Sequence, residues 1–217
     1  MKRVTLTFDN GPEPAITHAV LDELAARGIK AVFFVMGRKL DTPDGQAAAA
    51  RAHGEGHIIG NHTWNHKTPL GDIAGDPDIA ENEIGATQAV IGDLAHADKL
   101  FRPFGGGGNL GPCLLNRPCF DFLKDGGYSC VLWNNVPGDW KDASGWVDTA
   151  LATLAEQDWS VIVIHDMDTG AMAHLSRFLD ALEEIGVEYR QDFPEDCMPM
   201  VRGEVVRPMD GFVSANA

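Results

Sequence analysis

Val4-Thr5-Leu6-Thr7-Phe8-Asp9-Asn10-Gly11-Pro12 runs from an apolar, β-rich stretch straight into a Gly-Pro turn. The pattern places a strand over 4–8 and hands it to a loop at Asp9. A carboxylate at the carboxyl end of a strand stands where α/β folds build their active sites. Asp9 is therefore a candidate catalytic base. Asn10 beside it carries a neutral amide where a metal site would favour a carboxylate.

Further strands are expected at 31–36, 57–60, 100–102, 128–133, 161–165 and 187–190. Several are short, continuous apolar runs, as in strands buried on both faces of a parallel sheet. Helical patterns fall between them, at about 14–27, 76–91, 146–157 and 172–185. In the last, Leu175, Phe178, Leu179 and Leu182 follow the i, i+3, i+4, i+7 rule, and Gly186 stops the helix. Strands alternating with helices indicate an α/β fold with a parallel sheet, either a barrel or an open doubly wound sheet. The expected core spans about 4–190, and 191–217, rich in Pro and Gly, reads as an irregular tail of a single domain over 1–217.

The chain has 217 residues, enough for one domain with a sizeable core. Its net charge of −15 argues against a nucleic-acid partner, which would need clusters of Lys and Arg. No apolar run is long enough to cross a bilayer. Met1-Lys2-Arg3-Val4 supplies two basic residues but no apolar segment ahead of the first strand, so a cytoplasmic location is expected. Cys113, Cys119, Cys130 and Cys197 form no C-x-x-C pair and read as buried free thiols.

The unusual polar residues collect just after strands: Asp9, His62, His66, Arg102, Asp139 and His165. In a parallel α/β fold these positions share one rim. His62-Thr63-Trp64-Asn65-His66 spaces two imidazoles i, i+4, which on a helix would let both reach one metal. Taken alone, the pair is as well read as two loop histidines. His165 is placed to donate a proton, and the Asp139 carboxylate to hold it and raise its pKa. Arg102 is placed to orient Asp9. Trp140 reads either as a wall for a sugar ring or as core. Gly105-Gly106-Gly107-Gly108-Asn109 offers backbone N–H groups to a developing oxyanion, but lacks the pattern and the Lys of a nucleotide-binding loop.

Together these segments resemble the polysaccharide deacetylase family, the NodB-homology domain or carbohydrate esterase family 4. Its first motif, TFDDGP, is similar to Thr7-Phe8-Asp9-Asn10-Gly11-Pro12, and its H-[ST]-x-x-H motif is met by His62-Thr63-Trp64-Asn65-His66. Arg102-Pro103, Asp139-Trp140 and the run from Ile162 to His165 stand for the third, fourth and fifth motifs. The resemblance implies a deformed seven-stranded (β/α) barrel of parallel strands with outer helices. It implies a divalent metal, commonly zinc, on His62, His66 and Asn10. It further implies Asp9 as general base toward water, Arg102 as its support, and His165 with Asp139 as the acid. Trp140 and Gly105 would line the substrate site. The implied substrate is an N-acetylated amino-sugar polymer, oligomer or glycoconjugate.

Two positions depart from the pattern. Asn10 replaces the metal-ligating Asp, which implies weaker metal binding, and Phe104-Gly105 stands where many members have Pro-Tyr. A metal-independent amide hydrolase acting on a small molecule and a catalytically weak carbohydrate binder are the alternatives.

Overall fold

The first strand alternates strictly between polar and apolar side chains, and that alternation sets the two sides of the sheet. In the computed structural model, which describes residues 1–216, β1 (Arg3–Asp9) sends Val4, Leu6 and Phe8 outward against helices. Thr5, Thr7 and Asp9 occupy the alternate face. The strand β6 (Trp159–His165) repeats the pattern, with Ile162 and Ile164 in the outer core and Val161 and Val163 in the inner one.

The remaining parallel strands are β2 (Val32–Val35), β3 (Ile58–Asn61), β4 (Leu100–Phe101), β5 (Ser129–Cys130) and β7 (Glu188–Arg190). The sheet runs β6-β1-β2-β3-β4-β5, and a bridge between Asn135 and Ile162 joins its two ends. β7 pairs with the first half of β1 and β2 with its second half, so the cylinder is uneven at that seam. All seven expected strands form, and the architecture is the deformed (β/α) barrel with outer helices.

The outer core is closed by α1 (Pro14–Ala26), α3 (Pro43–Gly54), α6 (Trp146–Glu156) and α7 (Leu175–Ile185). A single turn, α2 (Gly37–Leu40), precedes α3. Side chains such as Leu6, Leu21, Phe178 and Trp146 are fully buried here. Each burial of this kind contributes about 1.5–3 kcal/mol. All four cysteines are free, three of them buried and Cys113 half-buried.

Three expectations need correction. The helix expected over 76–91 starts at Ile79, passes through a π-helical turn (Glu81–Gly85) and continues as α4 (Ala86–Ile91). α3 and α5 (Arg117–Asp125) did not stand out in the sequence. Both begin with side-chain caps, Thr42 accepting from Gly45 N at 3.1 Å and Asn116 from Cys119 N at 3.0 Å. Lastly, the tail, described as far as residue 216, is not irregular throughout. It forms β8 (Met200–Val201) and β9 (Glu204–Val205), an antiparallel pair added to β5 through Cys130 and Met200. The tail has the short apolar positions a hairpin needs, but its partner strand lies seventy residues back in the chain.

Met200 is fully buried in the inner core. Met200→Ala is therefore expected to cost about 2–5 kcal/mol in chemical denaturation. A change within about 0.5 kcal/mol, typical of a surface site, would mean the tail is only loosely attached.

Candidate active site

Asp9 is the last residue of β1, and it lies in register with His165, the last residue of β6. The two catalytic candidates thus stand side by side on neighbouring strands at one end of the barrel. Each is held from behind by a different buried partner.

Arg102, just beyond β4, is fully buried and crosses the barrel interior. Its Nη1 donates to Asp9 Oδ1 at 2.9 Å and to Thr7 Oγ1 at 2.5 Å. Its guanidinium lies 4.1 Å from the centre of the Phe34 ring, a cation–π contact that takes the place of solvent on that face. The charge is therefore met by one carboxylate, by neutral acceptors including Leu132 O at 3.3 Å, and by an aromatic face.

Asp139 lies on the other flank and is also fully buried. Its two oxygens accept from the backbone N and from Nδ1 of His165, at 2.9 and 2.8 Å. Burial disfavours the charged imidazolium, but the hydrogen bond and charge of Asp139 outweigh it, so the His165 pKa is raised above its ordinary value. The Trp140 ring meets His165 edge-on, with centroids 5.0 Å apart.

The histidine pair is built differently from the sequence expectation. Residues 62–66 are not helical. Thr63 and His66 adopt left-handed φ values of 66° and 51°, which fold the segment into a tight loop. Asn61 Oδ1 accepts from Thr63 N at 3.1 Å, and Thr63 Oγ1 from His66 N at 3.2 Å. Glu83, on the π-helical turn, accepts from Trp64 N, Asn65 N and Asn65 Nδ2, each at 2.9 Å. The loop wins over a helix because these side chains satisfy its backbone donors. The result still brings the imidazoles together, with ring centroids 4.7 Å apart. Glu83 carries no sequence signal that ties it to this loop.

His62 is buried, and its Nδ1 lies 2.8 Å from Arg102 O. A carbonyl can only accept, so Nδ1 carries the proton and Nε2 presents a lone pair. Burial pushes His62 down to about 3, and burial with its neighbour His62 does the same for His66, to about 3. Both are neutral near neutral pH. The Nε2 lone pair of His62 faces Asp9 Oδ2 at 3.6 Å, and neither atom can donate to the other. The third expected ligand, Asn10, has φ 70°, and its Oδ1 is buried with no hydrogen-bond partner among the described residues. Among the described residues no group of three or more His, Cys, Asp or Glu could hold a metal, so any donor set here must include the amide. Two lone pairs set against each other and an orphaned amide oxygen are what a cation would resolve. The residues fit a divalent metal.

These groups surround a cavity of about 300 Å³. Gly105 and its neighbours form one wall, with Trp133 Nε1 donating to Gly108 O at 3.0 Å. Phe104, tilted against His66 with ring centroids 3.7 Å apart, forms another. Trp133, Val136, Val163 and Met167 also line it and were not singled out in the sequence. A larger cleft, about 890 Å³, opens beside the starts of β3 and β4, away from all of these residues. Size does not mark the site here; the chemistry does.

The polysaccharide deacetylase family model matches residues 1–111. A chitooligosaccharide deacetylase from Rhizobium leguminosarum is 31% identical over 170 residues, covering 76% of this chain and 72% of the relative. The chain belongs to the polysaccharide deacetylase family. A peptidoglycan-N-acetylglucosamine deacetylase from Listeria monocytogenes is 27% identical over 188 residues, 87% of this chain, and the chain spans only 37% of that relative's length. Among solved structures, a family 4 acetyl xylan esterase from Clostridium thermocellum in complex with a cobalt ion superposes with a TM-score of 0.69 at 26% identity. That match covers 88% of each chain.

Replacing Glu83 by Ala strips the acceptor from two backbone N–H groups at once. The expected cost is about 1–3 kcal/mol in denaturation. Calorimetric titration with a divalent metal should also show binding weakened about 10–100-fold, as when an outer-shell partner is lost. Unchanged metal affinity would show that the loop keeps its shape without Glu83.

Proposed function

We propose that the chain hydrolyses N-acetyl groups on an amino-sugar oligomer, polymer or glycoconjugate. One observation carries this reading. Asp9 and His165 stand side by side at the mouth of the barrel, one locked by Arg102 and the other by Asp139, beside two neutral histidines. The deacetylases of Rhizobium and Listeria support the substrate class.

His62, His66 and Asn10 would hold a divalent metal, zinc in this reading, which when bound polarises the amide carbonyl and acidifies water. Asp9 takes the proton from the attacking water, whose oxygen adds to the carbonyl carbon. Arg102 holds Oδ1 of Asp9, leaving Oδ2 beside His62. Backbone N–H groups of the loop from Arg102 to Gly106 offer hydrogen bonds to the developing oxyanion. His165 gives its proton to the departing nitrogen as the C–N bond breaks, and Asp139 steadies the imidazolium beforehand. Acetate and a free amine are the products. Trp140, together with Trp133, provides apolar surface for the sugar ring.

Acetate release from N-acetylglucosamine oligomers, measured with and without chelator, tests the reading. Chelation should stop it, and Asp9→Ala or His165→Ala should lower it about 10²–10⁴-fold in a folded chain. Turnover that survives chelation would instead favour a metal-independent amide hydrolase. Asn10→Asp should tighten zinc at least about tenfold and raise the rate.

The pH dependence has a definite sign. His165 acts in its protonated form, so activity should fall as pH rises through its raised pKa. Asp139→Asn removes the charge that raises it, and the alkaline limb of kcat should move to lower pH. A limb that stays in place would assign it to another group.

A further inference from the structure

Asn10-Gly11 is the only Asn-Gly pair in the sequence. It falls at the expected metal donor where the family pattern has a carboxylate. From this we infer that Asn10 is a deamidation site, and that its conversion to Asp switches the donor set from neutral to anionic. The consequence for metal rests on His62, His66 and Asn10 being the donors; the chemistry at Asn10 does not.

The fold itself forces the reactive pair. A Cβ on Gly11 would stand 2.3 Å from both carboxylate oxygens of the buried Asp166, so no side chain fits there. A residue without a side chain leaves its backbone nitrogen open to the neighbouring carboxamide. Any Asn at position 10 is therefore an Asn-Gly. The carboxamide oxygen of Asn10 is held by no hydrogen bond, so none must be broken there for the group to turn. Asn10 also lines the cavity, which admits the water that the reaction consumes.

The steps balance. The Gly11 backbone nitrogen attacks Cγ of Asn10, the C–N bond of the carboxamide breaks, and ammonia leaves with the proton from the Gly11 nitrogen. A five-membered imide remains. Water then opens one of its two carbonyls, giving Asp at position 10 or its isopeptide form. No oxidant or enzyme is required. The Asp product places a carboxylate beside two neutral imidazoles, a stronger set for a divalent cation than three neutral donors. A freshly folded chain would bind metal weakly and an aged one tightly.

The test uses the full chain, incubated at mildly alkaline pH and sampled over time. Peptide mapping by mass spectrometry follows Asn10 against the exposed Asn82 and Asn109, which precede Glu83 and Leu110. Zinc alone is titrated by calorimetry into each sample and into the Asn10→Asp and Asn10→Gln variants. The expected result is conversion at Asn10 ahead of both controls. Zinc affinity should rise with the Asp fraction, by at least about tenfold, toward that of Asn10→Asp. The Asn10→Gln variant should stay weak at every age. An intact Asn10 in samples where Asn82 and Asn109 have converted would overturn the inference. So would conversion without tighter zinc. In that case Asn10→Asp separates the two failures: the donor assignment stands if this variant binds zinc more tightly than fresh protein, and falls if it does not.

Discussion

A guanidinium buried in the barrel, Arg102 on Asp9, is the constraint on which the rest of the site depends. Taking both ions out of water is costly, and a single pair rarely recovers that cost unless further hydrogen bonds fill the remaining positions. Here they do. Arg102 also donates to Thr7 and to the carbonyls of Val131 and Leu132, and stacks on Phe34. Its own backbone takes part as well: Arg102 N donates to Asn61 O, and Arg102 O accepts from His62. One residue thereby ties Asp9, His62 and three strands into a single unit.

The same low-polarity environment explains why the charges are distributed as they are. Burial strips the proton from His62 and His66, and the nearby Asp9, whose charge is met by Arg102, does not make up for it. It fails to do so at His165, because Asp139 is bonded directly to it. Three histidines around one cavity are therefore held in two opposite states, neutral on one side and proton-bearing on the other. Asp166, next to His165 in the chain, shows the same physics. Burial pushes its carboxyl up to about 7, and the Thr17 hydroxyl donates to it at 2.5 Å. Its place against Gly11 keeps the loop after Asp9 close to α1.

Much of this was legible in the sequence, for identifiable reasons. The strands are apolar runs read from local pattern, and the residues after them must share a rim once the sheet is parallel. What failed depended on partners distant in the chain. The 62–66 segment has helical spacing but takes its loop shape from Glu83 and Asn61. The helix α3 buries only Ala48, Ala49, Ala52 and Gly45, so its apolar stripe is too weak to show. The hairpin of the tail exists because β5 offers it an edge. Trp133 and Met167 gave no sign of facing the cavity, since an aromatic or a Met after a strand reads first as core.

The account's central claim is that Arg102 and Asp9 form one energetic unit. A double-mutant cycle in chemical denaturation, with Arg102→Met, Asp9→Asn and both together, tests it most directly. Either single change leaves a buried charge unpaired and should cost about 3–5 kcal/mol. The double variant should cost clearly less than the sum, because each change removes the charge the other strands. Additive losses would contradict the claim and show the two residues to be buried independently.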